Sequence, residues 1–76
     1  MIDRHNRIVA TSLEDPMGIR CVDIYQTNDG RFFWDEWRRD PEDPSGWHPT
    51  GRRDGPFDTE GDAINAAKII IEWISN

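Results

Sequence analysis

The chain has one cysteine, Cys21, and one lysine, Lys68, among 76 residues. A single thiol excludes an internal disulfide and any zinc cage built on cysteine. No uninterrupted apolar run exceeds three residues, as in Ile69-Ile70-Ile71, far short of the ~20 apolar residues of a membrane-spanning helix. No glycine-rich phosphate loop is present. Gly51-Arg52-Arg53-Asp54-Gly55 is too short and too acidic to serve as one. The first residues lack the apolar stretch of a signal peptide, so the expectation is a cytoplasmic chain. His5 and His48, with Cys21, have no metal-ligand spacing, and neither a metal nor a cofactor is expected. Asp40-Pro41-Glu42-Asp43 lacks the alternating ligands and central glycine of a calcium loop and reads as a solvated turn.

Hydrophobic residues make up only 36%, but four Trp, three Phe and one Tyr are among them, enough to nucleate a core and to exclude a disordered tail. A domain of this size buries only ~60% of its unfolded surface, so its stability is expected to be marginal. Fifteen acids oppose nine bases, for a net charge of −6. Residues 1–20 and 31–53 are each neutral. The excess comes from Asp23 and Asp29, and from residues 54–76, where five acids meet only Lys68.

Ile19 to Gln26 is rich in β-branched and aromatic residues, Thr27-Asn28-Asp29-Gly30 is turn chemistry, and Arg31 to Arg38 is aromatic-rich, which together predict a hairpin. A type I turn with left-handed Gly30 as a bulge sets Ile24 against Trp34 and Gln26 against Phe32. A two-residue Asp29-Gly30 loop would instead set Ile24 against Asp35. The first register gives sensible pairs, with Tyr25 opposite Phe33, Cys21 opposite Trp37 and Asp23 opposite Asp35. Residues 1–18 are expected as an arm or edge strand, with Arg7 to Ala10 pairing and Leu13 to Gly18 breaking it. Residues 19–76 are expected as one domain. Trp47-His48-Pro49-Thr50 reads as a short third strand that Pro49 confines to an edge, followed by a turn over Gly51 to Gly55. Thr59 with Asp62 three residues on fits a helix N-cap, and Asp58, Glu60 and Asp62 suit the positive helix start. The helix is expected to run to about Ser75, with Ala63, Ala67, Ile70 and Ile74 on one line. The predicted class is α+β: a small antiparallel sheet, a hairpin plus one or two short edge strands, packed against one C-terminal α-helix.

The facing carboxylates Asp23 and Asp35 are the nearest approach to an acid–base dyad. With no nucleophile beside them, the expectation is a neutralised sheet face with Arg52 or Arg53 as counter-charge, and no enzymatic activity. Arg31, Trp34, Trp37, Arg38 and Trp47 combine stacking and phosphate-binding chemistry and are candidate contacts for a partner, either a protein or single-stranded nucleic acid. A net charge of −6 weighs against a polyanion. Asp54, Asp58, Glu60 and Asp62 lie within nine residues and are a second candidate surface, one that imitates phosphates toward a basic groove. Ile69 and Trp73 exceed what one sheet face needs and are a candidate homodimer contact.

Gly55-Pro56-Phe57-Asp58-Thr59, followed by Asp62-Ala63 and Ala66-Ala67, resembles the strand-to-helix passage of small sheet-plus-helix modules of bacteria and phages. The outline, over roughly residues 20–75, is similar to the arm-type DNA-binding domain of phage integrases. The resemblance implies the same architecture and a sheet face carrying basic and aromatic residues into DNA. Arg31, Trp34 and Arg38 occupy the corresponding positions. The Lys-rich surface of those modules is absent. The functional expectation is therefore a non-enzymatic protein-interaction module, an inhibitor from a phage or mobile element acting on nucleic-acid-handling machinery in the manner of an anti-CRISPR or DNA mimic. The alternatives are direct nucleic-acid binding by the hairpin and a bacterial domain stabilised by homodimerisation.

Overall fold

The computed structural model describes residues 7–74. Four strands, β1 (Arg7–Glu14), β2 (Arg20–Thr27), β3 (Phe32–Arg38) and β4 (His48–Phe57), precede a single helix, α1 (Glu60–Ile70). The strands form one sheet in the order β1-β2-β3-β4, every neighbouring pair antiparallel. The helix lies across β2, β3 and β4 on one face. The α+β class is thus as expected, with the hairpin flanked by two edge strands that are longer than expected.

The β2–β3 hairpin takes the expected register throughout, including Ile24 with Trp34 and Asp23 with Asp35. Gly30, at φ +82°, adopts the left-handed conformation that closes the turn, and its N–H donates to Thr27 O at 3.0 Å. Period-two alternation then sends Val22, Ile24 and Trp34 to the helix side, where each is fully buried with Ala63, Ala67 and Ile71. The small alanines let the helix approach the sheet, and Phe32, Phe57 and Ile64 seal the margins.

β4 is ten residues long, not a four-residue strand followed by a turn. Its pairing with β3 slips between Phe32 and Trp34 and again between Asp35 and Trp37, so the segments around Gly55 and Gly51 bulge rather than reverse. Gly55 has a second constraint. A Cβ there would lie 2.3 Å from Cδ2 of Phe33, so the backbone crosses that ring at a distance only glycine permits. Pro49 and Pro56 are tolerated because β4 is an edge strand.

β1 pairs with β2 from Arg7 to Glu14, with one irregularity between Val9 and Thr11. The break falls after it, at residues 15–18, where Asp15 Oδ1 accepts from the N–H groups of Ile19 (2.9 Å) and Arg20 (3.1 Å).

The helix starts as expected, with Thr59 Oγ1 accepting from Asp62 N–H at 3.1 Å. It ends earlier than expected, at Ile70 rather than Ser75. Three consecutive β-branched residues weaken helix propagation. Ile71, extended at φ −92° and ψ 103°, instead drops its side chain wholly into the core. Trp73 and Ile74 then pack on that core from a non-helical tail, while Ile70 is turned outward and 45% exposed.

Candidate functional site

Two charged clusters, one on each sheet face, occupy positions where apolar side chains would ordinarily be expected. On the helix face, Glu36 is buried, with 2% of its side chain exposed. Its carboxylate accepts four hydrogen bonds: from Arg52 Nε and Arg52 Nη2 at 2.8 Å each, from Thr50 Oγ1 at 2.8 Å and from Trp73 Nε1 at 2.6 Å. Arg52 reaches outward through Nη1 to Glu72 at 2.9 Å. Burial alone would raise the Glu36 carboxyl, but the donors from Arg52, Trp73 and Thr50 outweigh it and hold it below the usual glutamate range. The same two carboxylates hold the Arg52 guanidinium firmly protonated.

A carboxyl lowered on folding contributes stability that is complete above its unfolded value and is lost as pH falls through its folded value. The urea midpoint of the wild type is therefore expected to fall steeply below pH 4.5, the ordinary glutamate value. In Glu36→Gln the midpoint should fall less steeply over that interval. Equal slopes for the two proteins would show that Glu36 is not a principal acid-labile group.

On the opposite face, Asp23 and Asp35 do face each other, as the register requires. Their counter-charge is neither Arg52 nor Arg53 but Arg7. Its Nη1 lies 3.1 Å from Asp35 Oδ2, its Nη2 lies 3.3 Å from Asp35 Oδ1 and 3.6 Å from Asp23 Oδ2, and its side chain is 7% exposed. The guanidinium stacks on Tyr25 at 3.6 Å from the ring centroid, and Tyr25 stacks on Phe33. Ser12 Oγ donates to Asp23 Oδ1 at 2.5 Å, and Trp37 Nε1 donates to Asp35 Oδ1 at 2.9 Å. Arg52 lies on the helix face, bound to Glu36. Arg53 stands opposite Asp35 in β4 but is exposed. Both carboxylates are occupied as acceptors of fixed donors, an arrangement suited to holding strands together. Among the described residues, no group of three or more His, Cys, Asp or Glu is placed to hold a metal.

Cys21 lies between Glu14 of β1 and Trp37 of β3 in the register. Burial first, and the nearby charges of Asp23, Glu14 and Asp35 second, push its thiol up to about 12. The thiolate is the reactive form, so native Cys21 is expected to react with a disulfide reagent at pH 8 at least ~100-fold more slowly than an ordinary cysteine. In 6 M guanidinium the rate should become ordinary. A native rate within tenfold of the denatured one would contradict this environment.

The expected aromatic–arginine surface is not one surface. Trp34 is wholly buried beneath the helix, so it cannot contact a partner, and Trp37 is 4% exposed. Trp47 is partly buried, with the Arg39 guanidinium 4.8 Å from its ring centroid. Arg31 and Arg38 are exposed but flank opposite ends of β3, about 23 Å apart along an extended chain. Ile69 and Trp73 also separate. Ile69 is 85% exposed on α1, whereas Trp73 packs on the core and holds Glu36.

Of the acidic set, Asp54, Asp58 and Asp62 are exposed at the corner where β4 passes into α1, and none has an ion pair among the described residues. Glu60 differs. It is partly buried, and Thr11 Oγ1 donates to it at 2.5 Å, tying β1 to the helix start.

No protein-family model, no curated protein and no solved structure matches this chain. No helix among the described residues is long and apolar enough to cross a membrane.

Proposed function

We propose that this protein is a non-enzymatic interaction module that docks on a basic partner through its β4–α1 corner. One observation carries the proposal. Asp54, Asp58 and Asp62 are exposed and have no ion-pair partner among the described residues, whereas the internal carboxylates Asp23, Asp35 and Glu36 each hold an arginine. Three acids without ion pairs among the described residues thus lie within nine residues where β4 meets the helix. Carboxylates displayed this way repel nucleic acid and attract the lysines and arginines that bind it. The partner class is a nucleic-acid-handling protein, and the mode is that of a phosphate mimic, as an anti-restriction or anti-CRISPR inhibitor would use. The hairpin offers little to the competing idea of direct nucleic-acid binding, because Trp34 is internal and Trp37 nearly so.

The test compares wild type with Asp54→Lys/Asp58→Lys/Asp62→Lys as baits in affinity capture from a bacterial lysate. These side chains are exposed, but Asp58 and Asp62 sit at the positive helix start, so the variant is expected to lose ~1–2 kcal/mol and to remain folded, which its circular dichroism checks. Basic nucleic-acid-binding proteins should be retained by the wild type and lost by the variant. Retention of the same proteins by both baits would reject the corner as the docking surface.

A further inference from the structure

The two edges of the sheet are finished differently. β4 carries Pro49 and Pro56, which have no N–H to offer, the charged residues Arg52, Arg53 and Asp54 between them, and two interruptions of its ladder. Devices of this kind keep a sheet edge from taking on a further strand. β1 has one irregularity, between Val9 and Thr11, and from Ile8 to Leu13 it has neither proline nor charge. Ile8 is 70% exposed and Val9 42%. The helix, lying across β2, β3 and β4, leaves the outer side of β1 open.

The hydrogen bonds of β2 show which groups this edge presents. Odd-numbered residues there bond toward β3, since Thr27 N–H donates to Arg31 O and Ile19 O accepts from Arg39 N–H. Even-numbered residues bond toward β1, since Arg20 O accepts from Asp15 N–H at 3.0 Å. In an antiparallel ladder, the β1 residues opposite the odd ones therefore turn their N–H and C=O groups outward. These are Arg7, Val9, Ser12 and Glu14. The outward set is odd-numbered before the irregularity and even-numbered after it.

A second copy of β1, related by a two-fold axis normal to the sheet, matches that edge. Setting Val9 opposite Ser12 of the second copy brings outward groups together, and such a pair exchanges both of its backbone bonds. The extra residue between Val9 and Thr11 then faces the same extra residue, so pairing continues on both sides. A strand without it would lose register past Val9. The same register sets Ile8 against Leu13 of the second copy, an apolar pair on the helix side. At each end it sets Glu14 against Arg7, opposite charges, where a parallel pairing would place like charges together. The Glu14 side chain is exposed and has no hydrogen-bond or ion-pair partner among the described residues.

We propose that β1 pairs antiparallel with β1 of a second copy, making one sheet continuous through both chains with both helices on the same face. The pairing does not depend on the acidic corner, because β1 contains none of Asp54, Asp58 and Asp62.

Sedimentation equilibrium from ~10 to ~500 μM covers the weak, transient range of so short an interface. The mean mass of the wild type should rise from that of one chain toward that of two. Over the same range, NMR-detected hydrogen exchange at the Val9 and Ser12 amides should slow at least fivefold. Two variants block the edge. Ile8→Lys adds a charge of the kind β4 carries, and Val9→Pro removes an outward N–H. Each should raise the dissociation constant at least tenfold while circular dichroism shows the wild-type spectrum. Ile8 is 70% exposed, so Ile8→Lys keeps the test valid should Val9→Pro fail to fold. A wild type that stays monomeric throughout, exchange at both amides that is independent of concentration, or unchanged association in Ile8→Lys would overturn the pairing. So would association that is lost in Ile69→Lys but kept in Ile8→Lys, which would place the contact on the helix.

Discussion

Replacing Arg52 by methionine is expected to remove about 2–4 kcal/mol of folding stability. Breaking a buried ion pair by deleting one member costs ~3–5 kcal/mol, and the lower figure reflects partial exposure of the Arg52 side chain, 36%. The cost arises at Glu36. Without the guanidinium, a carboxylate with 2% of its side chain exposed keeps only Thr50 and Trp73 as donors. A chain of this length has a total stability of roughly 4–11 kcal/mol, so the loss is a large share of it. Urea unfolding followed by tryptophan fluorescence measures the change. The double variant Glu36→Met/Arg52→Met separates the two components. Removing both charges together leaves no orphaned ion, so much of the loss should be recovered, as happens when buried ion pairs give way to apolar groups. A double-variant loss equal to the sum of the Arg52→Met and Glu36→Met losses would mean that the pair is not coupled.

The second large effect is expected at Arg7. Arg7→Met leaves Asp23 and Asp35 facing each other across β2 and β3 with no cation between them. Like charges directly opposite on a sheet repel, and here both side chains are nearly buried, 10% and 12% exposed. A loss of about 3–5 kcal/mol at pH 7 is expected. The diagnostic is the sign of the pH dependence. In the variant, taking up a proton on either aspartate relieves the repulsion, so the folded state binds the proton more readily than the unfolded state. Its stability should then rise as pH falls from 7 toward 5. The wild type, whose lowered carboxyls are Asp29, Glu36, Asp43 and Glu72, gains nothing from them over that interval. Melting temperatures of both proteins at pH 7 and pH 5 decide the matter. A variant that loses stability on acidification would contradict the role given to Arg7.

Where the sequence predicted well, the determinants were local. Asn28-Asp29-Gly30 allows few turn geometries, and only one placed apolar partners opposite each other, so the hairpin register was legible to the residue. Thr59 and Asp62 marked the helix start for the same reason, a hydrogen bond spanning three residues. The failures involve distance or competition. Gly51 and Gly55 look like turn residues, yet here they bulge a continuous strand, and only the Phe33 ring, 22 residues before Gly55, explains why one of them must be glycine. The helix end was misjudged because periodicity continues through Ile71 and Ile74, while the core draws Ile71 out of the helix. The Asp23–Asp35 pair was legible from register, but its arginine lay on a strand whose pairing the sequence marks only weakly. Period-two alternation puts Glu36 on the same face as Trp34, but nothing in the sequence signals that Arg52, Thr50 and Trp73 converge on it. The acidic corner is legible as composition, and the structure adds which of its four acids lack bonds to the rest of the fold.

The proposed function turns on competition between this protein and nucleic acid for one surface. A basic partner retained by the wild type, and lost by the Asp54, Asp58 and Asp62 reversal, is the reagent for the decisive measurement. Fluorescently labelled duplex DNA bound to that partner is titrated with this protein at constant salt, and anisotropy reports the bound fraction. Complete displacement by the wild type, with none by the reversal variant, is the predicted result. A ternary complex, with DNA still bound at saturating protein, would contradict phosphate mimicry.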